Sequence, residues 1–279
     1  MKTTRSELVL EIASSIKKTD GFISQSKKCA HKIIQTNTSI FSEIASKNFG
    51  KDIGEYVSFS YDDLLFFDAE AKEYLSKKIT QEIKNLIGIK SLSKIKKILI
   101  VGLGNDKYAC DSLGKHVADR IIVTKPYLAQ NLFSQNEMKE VYVLTPGVFG
   151  TTGMESLEII KSVCGFLNPN LVIVIDSMVA SKTEALTKSI QLSNTKLSPG
   201  GGVGNNRKEI SKKTLGVDIL AIGVPMVVNL SNICVCDENL IVSPKDVEQK
   251  TFVLSKIIAK AINKTFCSIS EKEYNDLTN

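Results

Sequence analysis

The sequence predicts a three-layer α/β/α fold built on a mostly parallel or mixed sheet, and three observations predict it. First, KKILIVGLG (96–104), VYVLT (141–145), NPNLVIVID (168–176) and VDILAIGVP (217–225) are near-continuous runs of Val, Ile and Leu. Such runs mark strands covered on both faces. Second, stretches with apolar residues at helical spacing, 112–122 and 153–167, stand between these runs. Strands that alternate with helices connect in parallel. Third, the 279 residues are 43% hydrophobic and 24% charged, enough for a large core and unlike a mainly disordered chain.

In chain order, residues 6–17 place Leu8, Ile12 and Ile16 on one helical face. Residues 21–50 are polar and show no clear period. GEYVSFSY (54–61) alternates like a half-buried strand. Residues 69–87 form a helix with Leu75, Ile79, Ile83 and Leu86 in register. The buried strand 96–104 follows, then the helix 112–122, the strand 141–145, the helix 153–167 and the strand 168–176. SIQLS (189–193) is a further strand, 206–215 a further helix, and 217–225 the last strand. Residues 245–263 close the chain as an amphipathic helix with Val247, Phe252, Ile257 and Ile258 apolar. Residues 1–279 read as one domain, with 1–90 an N-terminal elaboration or subdomain on the same sheet.

Composition narrows the function. The net charge of +6 is a mild Lys-rich excess, with no basic stripe interleaved with aromatics and no Trp, so direct nucleic-acid binding is not required. The six cysteines, Cys29, Cys110, Cys164, Cys234, Cys236 and Cys267, include no C-x-x-C pair, and the two histidines are His31 and His116. No metal site and no cofactor is expected from such spacing. Reduced thiols suit the cytoplasm. The first residues, MKTTRSELVLEIASS, lack the apolar core of a secretory signal, and no apolar run of about 18 residues would span a membrane. The expected location is the cytoplasm.

In open α/β sheets ligands bind beyond the carboxyl ends of the strands, and four segments there carry unusual residues. GLGNDKYACDSLGKH (102–116) opens with G-x-G and presents Gly104 and Asn105, but Lys107 stands where a dinucleotide fingerprint has its third glycine. Asp111 precedes the helix 112–122 and is either its N-cap or a functional carboxylate. Asp176 ends the strand 168–176, where a carboxylate is costly unless paired, solvated in a cleft or protonated. LSPGGGVGNNRKEIS (197–211) carries Gly200, Gly201, Gly202, Gly204, Asn205 and Arg207. It does not match the Walker A spacing, and its backbone amides suit a carbonyl or a developing oxyanion. LTPGVFGTTGMES (144–156), with Thr145, Pro146 and Gly147, reads as a wall of the same cleft.

Taken together, these motifs resemble the germination protease family of spore-forming bacteria. They stand in the family's order: VGLGN, D-x-LG at Asp111, LTPGV-x-G-x-TG-x-E at 144–155, the Asp176 strand end, PG-x-GVGN-x-R at 199–207 and AIGVP at 221–225. GKDIGEYVSF (50–59) and SPKDVEQ (243–249) add to the likeness, which covers nearly the whole chain. The resemblance implies the phosphorylase/hydrolase-like fold of hydrogenase-maturation peptidases. It implies an atypical aspartic endopeptidase that needs no metal, is assembled as a homotetramer and cuts small acid-soluble spore proteins in the spore core during germination. The family's two functional aspartates fall on Asp111 and Asp176.

The chain departs from the family at Ala109-Cys110, where Thr-Pro is common, at Lys115 and His116, at Ser198 in place of His, and at Asn229 in place of Asp. Family zymogens carry a short pro-segment before a motif like Arg-Thr-Asp-Leu, and Arg5, Ser6, Glu7 and Leu8 match that motif here. The family's substrates are cut after Glu in sequences such as Glu-Ile-Ala-Ser, which occur here at Glu11–Ser14 and Glu43–Ser46. Glu11 and Glu43 are therefore candidate self-cleavage sites, against the plain reading of both as helical segments. Two other readings share the motifs: a metal-dependent maturation-type peptidase of similar fold, and a nonenzymatic spore protein that binds the same substrates.

Overall fold

The computed structural model describes residues 6–16, 20–133, 138–201, 207–235 and 240–278. The strands among them are β1 (Phe22–Lys28), β2 (Ile34–Ile40), β3 (Gly54–Ser60), β4 (Lys97–Gly102), β5 (Glu140–Leu144), β6 (Leu171–Ala180), β7 (Ser189–Ser193), β8 (Asp218–Asn229) and β9 (Ile241–Val242). The helices are α1 (Val9–Ser15), α2 (Glu43–Phe49), α3 (Ala69–Ile87), α4 (Ile89–Leu92), α5 (Leu113–Ala118), α6 (Lys125–Ala129), α7 (Phe149–Thr152), α8 (Ser156–Leu167), α9 (Lys212–Leu215), α10 (Val247–Phe266) and α11 (Glu271–Thr278).

All nine strands join one mixed sheet in the order β1-β2-β3-β7-β8-β6-β4-β5, with β9 paired to the end of β8. The β5-β4-β6-β8 half is parallel, and β8-β7-β3-β2-β1 is antiparallel. Helices cover both faces. Ile98, Ile100, Ile173, Ile175, Leu220 and Ile222 belong to the core cluster that also holds residues of α3, α5 and α10. Their neighbours Leu99, Val101, Val172, Val174 and Ile219 pack with Leu157, Ile160 and Cys164 of α8. Both sides of each strand are buried, so its sequence reads as an unbroken apolar run.

Several elements differ from the sequence expectation. Residues 6–8 are extended rather than helical, because Glu7 bonds to β6, and α1 starts only at Val9. α5 stops at Ala118, and Asn263 of α10 takes over the following backbone: its Oδ1 accepts Ile122 N–H and its Nδ2 donates to Arg120 O. Of 206–215 only α9 is helical. Ile210 is tied to Leu197 by a β-bridge, and Ser211 opens the helix with a capping box. Phe252 of α10 is largely exposed and stacks against Arg120 and Lys256 instead of entering the core. The polar stretch 21–50 contains the β1-β2 hairpin and α2.

Candidate active site

The cleft exists because β4 is shorter than its neighbour. β4 ends at Gly102, opposite Ile175, while β6 runs on to Ala180. Asp176 therefore does not end its strand, as the sequence suggested. It is the first residue of β6 past the last rung shared with β4. Leu103 N–H still reaches Ile175 O at 2.9 Å. Farther along, the vacated edge is covered by the N-terminal segment: Glu7 N–H donates to Val179 O at 2.9 Å, and Val179 N–H donates to Glu7 Oε2 at 2.7 Å.

Asp111 arrives from the turn that follows β4. Gly104 adopts φ +103°, and a Cβ there would lie 1.9 Å from Asp111 O. Only glycine fits that approach. Asn105 N–H then donates to both Asp111 O (3.0 Å) and Asp111 Oδ2 (2.9 Å). At Gly114 a Cβ would lie 2.3 Å from Leu103 O and 2.7 Å from Ile175 O, so α5 abuts the ends of β4 and the middle of β6. This contact brings the Asp111 turn up to Asp176. Ser112, not Asp111, is the N-cap of α5, and no side-chain cap bond forms there.

Both aspartates line a cleft of about 470 Å³. Gly104, Asn105, Tyr108 and Cys110 lie on the Asp111 side. Val148, Phe149, Gly150 and Glu155 form a second wall, Pro199, Gly200 and Arg207 a third, and Glu7 and Val179 lie along the β6 edge. Arg207 locks two of these walls together: its guanidinium pairs with Glu155 at 3.1 Å and stacks over Phe149, 4.9 Å from the ring centre. Ser177 Oγ, at the cleft, is buried without a hydrogen-bond partner among the described residues.

The two carboxyls have different surroundings. Burial pushes Asp111 up to about 6, partly offset by the Asn105 N–H. Asp176 is 6% exposed, and burial drives its pKa well above the usual carboxylate range. The negative charges of Asp111 and Glu7 raise it further, against the opposing effect of Ser177 N–H, which donates to Oδ1 at 2.9 Å. Burial and the charges of Asp111 and Glu7 all act to keep the proton on Asp176, whereas Asp111 is less buried and is offset by a backbone donor. Such a pair can accept one proton and donate another.

The expected site residues divide as follows. Asp111, Asp176, Gly104, Asn105, Gly200 and Arg207 line the cleft. Thr145, Pro146 and Gly147 do not; they form the turn that delivers Val148–Gly150 to it. Gly201 lies against Glu7, whose Oε1 would be 3.4 Å from a Cβ there. Gly202, Gly204 and Asn205 lie outside the described residues. Glu11 and Glu43 do not line the cleft. Glu11 accepts from Ser181 N–H, Ser181 Oγ–H and Lys182 N–H, which staples α1 to the loop after β6. Glu43 opens α2 and is exposed. Among the described residues no cluster of three or more His, Cys, Asp or Glu side chains is placed to hold a metal ion, and no helix is long and apolar enough to cross a membrane. Glu7, Tyr108, Glu155, Ser177 and Lys208 are polar residues of the cleft that sequence reasoning left out of the site. Four of them stand in or beside the strand-end segments already singled out, whereas the signal of Glu7 was faint because it follows no strand of the parallel half.

Comparison with known proteins agrees with the motif order. The family model described as germination protease matches residues 4–238. The chain is 35% identical over 216 residues to a germination protease of Clostridium perfringens, covering 77% of this chain and 65% of the relative. It is 35% identical over 224 residues to one of Clostridium tetani (77% and 68%), and 39% identical over 196 residues to one of Caldanaerobacter subterraneus (70% and 59%). The chain thus spans about two thirds of the length of the curated relatives it matches. Among solved structures, a hydrogenase maturation protease, HycI of Thermococcus kodakarensis, is 18% identical with a TM-score of 0.38, covering 65% of this chain and 98% of that one.

Proposed function

The chain belongs to the germination protease family, and on that premise we propose that it is an endopeptidase that hydrolyses small acid-soluble spore proteins with Asp111 and Asp176 as an acid–base pair. The observation that carries this reading is the pair of carboxyls in one cleft whose environments push their proton affinities apart. In this reading Asp111, ionised, takes a proton from a water molecule in the cleft. The hydroxide attacks the scissile carbonyl carbon. Asp176 gives its proton to the carbonyl oxygen or to the leaving nitrogen, and the C–N bond breaks to leave a carboxyl and an amine. Ser177 Oγ and the backbone amide of Gly200 are suited to hold substrate carbonyls.

The test is digestion of a small acid-soluble spore protein by wild-type, Asp111→Asn and Asp176→Asn proteins. Each variant is expected to cut on the order of a thousandfold more slowly, the range for loss of a general acid or base. Cutting by both variants at the wild-type rate would overturn the two-carboxylate mechanism. A wild-type protein that binds the substrate and never cuts it favours the nonenzymatic reading, in which the replacements at Cys110 and Ser198 have removed activity.

A further inference from the structure

Glu7 is clamped by its neighbours. Its N–H and its Oε2 both bind the backbone of Val179, a two-point grip on the strand edge that β4 leaves bare. Its carbonyl accepts from Gln191 Nε2 at 3.4 Å, and Gln191 Oε1 accepts Val9 N–H at 2.7 Å, which ties residues 7–9 to β7. The next side chain, Leu8, is fully buried against Ala180, Leu186 and Val228. Glu7 Oε1 faces Gly201, where a Cβ would lie 3.4 Å from it. Val179 N–H needs one acceptor, which a neutral amide or a backbone carbonyl could supply. The negative charge on this side chain therefore calls for a further reason.

That reason lies in the space Glu7 borders. A narrow cavity of about 80 Å³ adjoins the cleft, and Glu7 and Asp176 stand in the walls of both. The other charged groups around these spaces come from several elements. Asp111 belongs to the turn after β4, Lys51 and Asp52 to the turn after α2, and Lys196 to the loop after β7. Lys196 pairs with Asp52 and with Glu209, each at 3.0 Å. On the outer walls Arg207 pairs with Glu155, and Lys208 with Glu158 at 2.8 Å. The Glu7 charge favours the ammonium of Lys51, and the Lys196 charge opposes it. The charges of Asp111 and Glu7 both act on Asp176, and both favour its protonated form.

We propose that Glu7 is a positioning residue of the reaction: its carboxylate, pinned to the bare edge of β6, is a standing charge that holds Asp176 in its acid form. The two negative neighbours then play different parts. Before the reaction both keep the proton on Asp176. When Asp111 takes a proton from water its charge is gone, and Asp176 becomes a stronger acid at the moment its proton is needed. The Glu7 charge is unchanged throughout and restores the acid form after product leaves. The inference rests on the acid–base reading of Asp111 and Asp176.

The experiment uses Glu7→Gln, which keeps the size and an acceptor for Val179 N–H but removes the charge, and Glu7→Asp, which keeps the charge. Digestion of a small acid-soluble spore protein is followed across pH, and the Asp176 carboxyl is titrated by NMR in the same proteins. Removing a negative neighbour lowers the proton affinity of Asp176, so in Glu7→Gln its titration and the alkaline limb of the rate profile should both move to lower pH, by about one unit. The acid limb, set by Asp111, should stay in place. The rate of Glu7→Gln relative to wild type should therefore fall about tenfold more at the alkaline end than at the acid end. Glu7→Asp should restore most of the wild-type profile. An Asp176 titration unmoved in folded Glu7→Gln protein overturns the proposal. So does a rate that falls by the same factor at every pH, or a Glu7→Asp profile that matches Glu7→Gln. A wild type that never cuts the spore protein counts against the peptidase reading alone, because the Asp176 titration still decides what the Glu7 charge does.

Discussion

Strands β4, β6 and β8 bury side chains on both faces, whereas β1, at the far edge of the same sheet, has six of its seven residues exposed. The parallel half holds together by apolar burial. The antiparallel edge holds by its hydrogen-bond ladder and by hydroxyl pairs across it, Ser24 with Thr38 and Ser26 with Thr36, each at 2.8 Å. The site sits where the two regimes meet. Asp176 comes from a strand buried by the parallel half, and its neighbours Glu7 and Lys51 come from segments that pack over the antiparallel half. A stiff apolar frame fixes one carboxyl, and the polar half shapes its surroundings.

The comparison is sharpest in a pair of matched truncations. Ile173 of β6 is 0% exposed, and Ile173→Ala should cost about 4 kcal/mol, as deletion of a buried branched side chain does when its surroundings cannot collapse. Ile23 of β1 is 53% exposed, and Ile23→Ala should cost less than about 0.5 kcal/mol. Denaturant unfolding of both variants checks the contrast, and equal losses would erase the distinction between the halves.

Between these lies the effect of the site itself. The Asp111 carboxyl binds its proton more tightly in the folded chain (pKa about 6) than in an unfolded one (3.8). Its contribution to stability is therefore complete below pH 3.8 and is lost as pH rises through about 6. Asp111→Asn removes that loss, so the variant should gain up to about 3 kcal/mol over wild type at pH 8, and little at pH 3.5. Asp176→Asn should shift stability in the same direction. Unfolding midpoints across this pH range test the sign. A variant less stable at pH 8 than wild type would show that Asp111 is not a strained carboxyl.

The parallel half was legible because its strands are unbroken apolar runs and its loops carry glycines at strand ends; Gly104 and Gly114 are where the close approaches occur. The β1-β2 hairpin was not legible for a physical reason. Its turn places His31 and Lys32 at φ +55° and +56°, a conformation that sequence reading associates with Asn-Gly, and its strands are lined with Ser, Thr, Gln and Lys. Asp176 was found, but its setting was misread: the apolar run of β6 breaks at Asp176 although the strand does not. Glu7 was hidden because the strand edge it covers exists only once β4 has stopped short.

The most direct test of the acid–base pair is to follow the carboxyl carbons of the two aspartates by NMR as a function of pH, assigning each with Asp111→Asn and Asp176→Asn. Asp111 should titrate near pH 6, and Asp176 should hold its proton well above the usual carboxylate range. If both carboxyls are instead ionised by about pH 5, as unperturbed aspartates are, the division of labour between base and acid does not exist.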